Sequence, residues 1–372
     1  MAKGLEKNSP IVLKLTKENY DALIERHGQW VRWLSARKCT CVTETGRVDY
    51  NCQRCGGDGW IYTHQLRKSV YDAKCKVLSD SWVELPCQAV YVDRIKGAKE
   101  YQILNLLDGK FVQINGNLEK NELVFADYVE SLMKKEKARC VYEGNNRFFI
   151  QSRYAKKIRE RELQPDVVQV NEIKNRTNGE RYSVQRVYRS IIEIRTPVFP
   201  VAETDFVEAD IEVVEPKLFL LLNQNFAEID QRFLTETGGS GILVFPSEYS
   251  VAEGDVVVAL SAEMVGKIVV TKGVSQEDKL PVWYVSKIEN VASSSGDINP
   301  SLYQLKSYNR IVWANNPHVP APGDTLSITI RYNPVYRVLQ EMPVVRSSEN
   351  QQIARRVAVK FLNMGGAEVE GI

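Results

Sequence analysis

The residues best suited to do chemistry are four cysteines between positions 39 and 55. They read Cys39-Thr-Cys41, ten further residues, then Cys52-Gln-Arg-Cys55. Two close pairs of thiols joined by a hairpin-length loop can wrap one ion. Four thiolates supply the closed tetrahedral set that a structural zinc site uses. The expected cofactor is therefore a structural Zn2+ on Cys39, Cys41, Cys52 and Cys55. Gly46 offers a turn centre in the loop. Gly56, Gly57 and Gly59 follow the second pair, where the lack of a Cβ lets backbone N–H groups turn toward sulfur. Two competing readings exist. Cys52 and Cys55 could form a redox pair, although the βαβ context of a thioredoxin-like protein is missing. His64 could replace one cysteine as a ligand. A closed four-thiolate site has no open position for water, so its expected work is to fold a small module that lacks a core of its own.

Little else in the chain suggests a reaction. The three histidines, His27, His64 and His318, stand in no catalytic arrangement and read as surface or packing residues. There is no phosphate loop, dinucleotide fingerprint or nucleophile elbow. The expectation is a protein that is not an enzyme. Cys75, Cys87 and Cys140 read as free thiols that pack as small hydrophobes in a reducing compartment.

At 372 residues the chain has room for two or three domains. Its 49 basic and 47 acidic side chains leave a net charge of +2, which excludes a bulk polycation. The charge is unevenly placed. Residues 134–161 carry ten bases against three acids, and residues 203–263 carry thirteen acids against two bases. Lys134, Lys135, Lys137, Arg153, Lys156, Lys157 and Arg159 are the candidates for contact with nucleic acid or with another subunit. Without a base-reading motif, any DNA contact would go to phosphates and ignore sequence. Two solvated faces are the bland alternative. No apolar run approaches the roughly 20 residues of a membrane span. Lys3, Glu6, Lys7 and Lys14 interrupt the apolar stretch that a signal peptide would need. No membrane partner is expected.

The elements that must position the cysteines read as follows. Residues 17–37 have helical spacing in Tyr20, Leu23, Ile24, Trp30, Val31 and Leu34, with Gly28 as a weak point. A polar stretch, 64–76, follows the cysteines. Strand-like runs occupy 89–92, 101–107, 110–114, 191–198, 242–245, 255–260, 267–270, 282–285 and 311–313. Leu123–Met133 fits a helix or a buried strand. Thr325–Tyr332 alternates apolar and polar residues, the pattern of a half-buried strand. Pro216–Phe233 has amphipathic helical spacing behind an N1-type proline. A C-terminal helix is expected after Ser347 or Ser348, with Arg355, Arg356 and Lys360 toward its end and Gly365-Gly366 as its stop. A weak internal repeat relates residues 92–95, 101–103 and 111–112 to 285–288, 303–305 and 311–312. The fold class expected is mainly β (α+β). It would have a small N-terminal zinc-binding module, two β-sandwich or barrel-like domains, and helices between them and at the C-terminus. The domain boundaries expected are 1–76, 77–199, 200–340 and 341–372.

Two resemblances add to this. Cys52 to Gly59, a Cys-x-x-Cys-x-Gly-x-Gly run, is similar to the repeat unit of the cysteine-rich domain of DnaJ-type co-chaperones. That family has four repeats on two ions, and this chain has one repeat behind a Cys-x-Cys pair and no J-domain signature. The resemblance implies the local zinc geometry and not a chaperone function. The second covers roughly Trp313–Lys360 together with the cysteine knuckle. Pro320-Ala-Pro-Gly-Asp324, the strand Ser327–Tyr332 and Asn333-Pro-Val-Tyr-Arg-Val338, followed by a basic segment, resemble the neck or head-to-tail connector proteins of tailed bacteriophages. The resemblance implies a virion structural protein forming a ring of identical copies, which joins the capsid portal to the tail and helps retain DNA. Its implied partners are other copies of itself, other neck, portal or tail proteins, and packaged DNA through non-specific phosphate contact. Its implied location is the virion, and the host cytoplasm during assembly. A different tail, collar or baseplate component and a zinc-ribbon nucleic-acid-binding protein are the alternatives.

Overall fold

The computed structural model describes residues 17–49, 51–52, 55, 59–119, 122–144, 146–158, 161–202, 204–223, 241–282, 284–306, 309–342, 347–348, 351–352 and 354–362. Strands account for 59% of it and helices for 4%, so the protein is mainly β with barrel-like sheets. Among the described residues no helix is long and apolar enough to cross a membrane.

The cysteines hang from a sheet assembled from distant parts of the chain. Its seven strands run in the order Lys217–Asn223, Gly241–Phe245, Arg355–Phe361, Val335–Glu341, Val256–Ala259, Gln29–Lys38, Trp60–His64. Gln29–Val31 also pair with Lys217–Phe219, which closes six of these strands into a circle. We call this unit the hub. Val256–Ala259 are buried at all four positions: Val257 faces the filled interior with Trp33 and Phe219, while Val256 and Val258 on the opposite face pack with Leu34, Tyr62 and Tyr284. Trp33, Phe219, Phe245 and Val357 fill its interior.

Three further units are inserted into the hub. A closed six-stranded barrel spans Arg67–Ser131. A six-stranded sheet follows between Met133 and Val214. Its first strand in spatial order is Asp166–Asn175 and its last is Val184–Tyr188. Bonds from Val167 N to Arg189 O and from Tyr182 N to Ile173 O draw these two edges together. Both units lie in the chain between His64 and Lys217. The last unit, Met264–Tyr332, lies between Ala259 and Val335 and consists of two sheets, of four and three strands.

The closed barrel and this last, split barrel share one topology. Setting aside the two-residue strand Gly296–Asp297 of the split barrel, each has six strands in sequence order, of which the first and the third pair with the sixth, and the second and the fourth pair with the fifth. The third strands both carry two register shifts. These fall at Ala89/Tyr91 and Val92/Arg94 in one, and at Val285/Lys287 and Ile288/Asn290 in the other. Leu85 and Leu280, each followed by proline, both donate their N–H across the unit, to Lys110 O and to Asn309 O. The internal repeat is thus a repeat of strand order. By pairing register, Val92 corresponds to Ile288 rather than to Val285, where similarity of words had placed it.

Several expected elements change type. The helix expected over 17–37 is helix Lys17–His27 alone; it ends at Gly28, and Gln29–Lys38 is a hub strand. A Cβ at Gly28 would sit 2.3 Å from Ile24 O, so only glycine fits that turn. The polar stretch 64–76 is largely the strand Arg67–Ser79. Leu123–Met133 is resolved in favour of a strand, Val124–Ser131. Two of the expected helices are corrected. Pro216–Phe233 opens as the strand Lys217–Asn223, and 224–233 lie outside the described residues. The C-terminal helix gives way to the strand Arg355–Phe361, with Val357, Ala358 and Val359 buried between two partner strands. The expected glycine stop at 365–366 lies outside the described residues. Thr325–Tyr332 is a strand over its full expected length, with Leu326, Ile328 and Ile330 buried.

Candidate metal centre

The cluster occupies the end loop of one hub hairpin. Gln29–Lys38 and Trp60–His64 pair antiparallel, with Lys38 opposite Trp60, so residues 39–59 form the connection. Cys39 N bonds to Gly59 O at 2.8 Å, which extends the ladder by one step and fixes the base of the loop. Val42 N to Cys39 O is a turn that brings Cys41 back beside Cys39. Thr43 N to Arg47 O, with Gly46 at φ +78°, closes the tip. Cys52 N bonds to Asp49 O, which turns the second pair of cysteines toward the first.

The four sulfurs converge, all within 4.8 Å of one another. Cys39 Sγ lies 3.8 Å from Cys52 Sγ, and Cys41 Sγ lies 3.5 Å from Cys55 Sγ. Zinc–sulfur bonds of about 2.3 Å place the corners of a tetrahedron about 3.8 Å apart. A disulfide needs about 2.05 Å. All four are free thiols, and the close contacts link one pair to the other rather than Cys52 to Cys55. The donor set therefore fits a single tetrahedral metal ion. Gly59 N–H also donates to Cys55 Sγ at 3.3 Å, the outer hydrogen bond that a thiolate ligand accepts. Gly56 and Gly57 lie outside the described residues. Desolvation and then the neighbouring Cys55 thiol push Cys41 up to about 12. A divalent cation at the centre would favour the thiolate form that metal ligation needs.

The hairpin is seated on the hub by Trp60. Its ring lies where a Cβ on Gly254 would come within 2.9 Å, and Gly254 has φ +88°. The next residue, Asp255, accepts bonds from Trp33 Nε1 and Ala36 N at 2.8 Å each. A buried carboxylate thus ties the base of the hairpin to the turn beneath it.

His64 is not among the ligands. It is buried at the far end of the hairpin strand, with Nε2 3.7 Å from Asp166 Oδ2. Cys75 and Cys140 are buried and Cys87 is half-buried, apart from the cluster.

The basic candidates fall elsewhere. Lys134, Lys135 and Lys137 lie on the strand Met133–Gly144, which pairs with Val207–Val214. In that register Lys135 faces Glu212, Lys137 faces Asp210 and Arg139 faces Glu208. One strand of the basic block is therefore the neighbour of one strand of the acidic block in a single sheet. Lys135 Nζ is 3.4 Å from Glu212, and Lys156 Nζ is 2.5 Å from Glu215 and over the Trp30 ring. Arg153 lies 3.9 Å from Glu136 and stacks on Tyr154. Lys134 is half-buried, Lys137 and Lys157 are exposed, and Arg159 lies outside the described residues.

One polar cluster was not legible in the sequence. Arg32, from the hub, forms a buried two-pronged ion pair with Asp166 of the Met133–Val214 sheet. The guanidinium groups of Arg32 and Arg189 lie 5.3 and 5.1 Å from the ring centre of Tyr284, from the split barrel. Arg32 is 134 positions from Asp166 and further still from Arg189 and Tyr284, so no local spacing could have signalled the cluster.

Fold and site together define a mainly β protein with a four-cysteine cluster suited to a metal ion. No known family model matches the sequence, and no curated protein matches it significantly.

Proposed function

We propose that this chain is a structural assembly protein in which zinc, held by Cys39, Cys41, Cys52 and Cys55, fixes a projecting hairpin loop on a β scaffold. The observation that carries this reading is the convergence of four thiols at the end of a hub hairpin. The end loop 39–59 offers few apolar residues for burial, so a metal would supply most of its folding energy. Four thiolates fill the coordination shell, so the ion's role is structural. The supporting context is a set of filled β units, each with its own core.

More particularly, we propose a ring-forming neck or connector component of a tailed-phage virion, joining portal to tail and helping to retain DNA. Its partners would be copies of itself and other neck, portal or tail proteins. The support is the resemblance of residues 313–360 and of the knuckle. That stretch supplies the last strand of the split barrel and two strands of the hub. The pairing of Lys135 and Lys156 with acids of the same chain favours assembly over phosphate binding, because those charges are already used. Peptide mass spectrometry with copy counting on purified particles from the source tests the particular reading. A ring-like count per particle is expected. Absence from particles, with the protein abundant in the lysate, would overturn it.

A further inference from the structure

The hub is interrupted at two places, and both lie beside the same stretch of one strand. Leu34 pairs with His64, where the chain leaves for the first two inserted units, and Val31 pairs with Lys217, where it returns. Val31 also pairs with Ala259, where the chain leaves for the split barrel. Between these points sits Arg32. Its partners come from both insertions: Asp166 from one, and the Tyr284 ring from the other. A buried ion pair and cation–aromatic contacts thus sit at the joint, beside an apolar cluster in which Tyr284 and Leu163 of the insertions meet Leu34, Tyr62 and Val258 of the hub.

His64 is built into this joint. Its side chain is 5% exposed, and its Nε2 has no hydrogen-bond partner. It faces a cavity of about 10 Å³, room for roughly one water, lined by Arg32, Asp166, Glu215 and Lys217 among others. Asp166, the carboxylate paired with it at 3.7 Å, is already held by both prongs of Arg32. Lys217 adds a second positive charge, and Glu215 is held by Lys156 at 2.5 Å. A proton on His64 would add a further buried positive charge to Arg32 and Lys217, against one engaged carboxylate.

We infer that this joint is an acid-opened hinge, with His64 as its trigger. Closed, the joint excludes the imidazolium. Open, it exposes His64 to water, where the ring takes up a proton near its ordinary value of about 6.5. In the closed state burial lowers His64 below that value. Asp166 pulls the other way, and Arg32 and Lys217 add to the lowering. The open form therefore binds the proton better. The open-to-closed ratio rises as pH falls below about 6.5, by up to tenfold per pH unit, until the closed form is protonated too. The device is independent of the metal reading and of the proposed virion role. It needs only the hub and its insertions.

Amide hydrogen exchange on the full-length protein tests this, at pH near 7.5 and 5.5, corrected for intrinsic rates. Peptides covering Arg32, His64, Asp166 and Lys217 should exchange up to about tenfold faster at the lower pH in the wild type. Peptides covering Val124–Ser131 and Thr325–Tyr332 should not change. In His64→Gln the joint peptides should lose their pH response. An equal response in His64→Gln, or none in the wild type, would overturn the hinge. NMR titration of the wild type decides independently, even if the variant does not fold, since only three histidines contribute. A His64 resonance titrating below about 6.5 is expected, and one at or above it would overturn the proposal.

Discussion

Gly59 donates its backbone N–H to Cys55 Sγ at 3.3 Å, from a backbone at φ +77°. A Cβ at this position would lie 2.9 Å from Val48 Cγ2 and 3.3 Å from Val42 Cγ2. The same residue carries the carbonyl that receives Cys39 N–H. One glycine thus joins the first and last cysteines of the cluster to the hairpin ladder.

Gly59→Ala should therefore weaken metal retention without disturbing the hub. A non-glycine residue in this left-handed conformation costs about 1–2 kcal/mol before the contact with Val48 is counted. Competition with a chelator should show faster metal release than in the wild type. Thermal unfolding of the hub should change little. Unchanged release would mean that the Gly59 bond does not support the site.

The shared topology of the two barrels makes Leu85 and Leu280 equivalent, each 1% exposed. Leu85→Ala and Leu280→Ala should each cost about 2–5 kcal/mol, the range for removing a buried leucine side chain. Denaturant unfolding followed by hydrogen exchange should confine each loss to its own unit. Loss spread evenly over both units would contradict the description of two separate cores.

Asp127 sets an acid dependence in the closed barrel. Burial alone would raise its carboxyl. The Asp72 amide, Lys96 and Arg94 outweigh that and hold it below the usual range. A lowered value in the folded state gives stability that is present above about pH 3.8 and lost as pH falls through the folded value. Asp127→Asn should lose about 1 kcal/mol near pH 7, because the buried side chain gives up charge-assisted bonds to Arg94 and Lys96, which are themselves partly in water. The gap between variant and wild type should narrow near pH 3. A gap that is constant with pH would contradict the ion-pair account.

Part of this architecture was legible because its signal is local. Strict alternation marked Thr325–Tyr332, and cysteine spacing with its glycines marked the four-cysteine cluster. The two misread helices failed for one physical reason. Leu218, Leu221 and Leu222 have spacing that suits a helix or a buried strand, and Val357–Val359 form a short run with no period at all. What decides both is pairing with strands far away in sequence. Leu221 pairs with Leu243, which in turn pairs with Val357, over a hundred positions on. Part of the charge asymmetry likewise depends on long-range pairing: Lys135, Lys137 and Arg139 lie opposite Glu212, Asp210 and Glu208, which are distant in the chain. Arg32, Asp166 and Tyr284 had no sequence signal, because each looks ordinary among its neighbours.

The account stands most directly on the metal. Elemental analysis of the purified full-length protein, beside a variant with Cys39→Ser and Cys55→Ser, tests it in one measurement. The account predicts one zinc per chain in the wild type and loss of that zinc in the variant, with the knuckle unfolded. Well under one zinc per chain in the wild type, or the same metal content in both proteins, would contradict it.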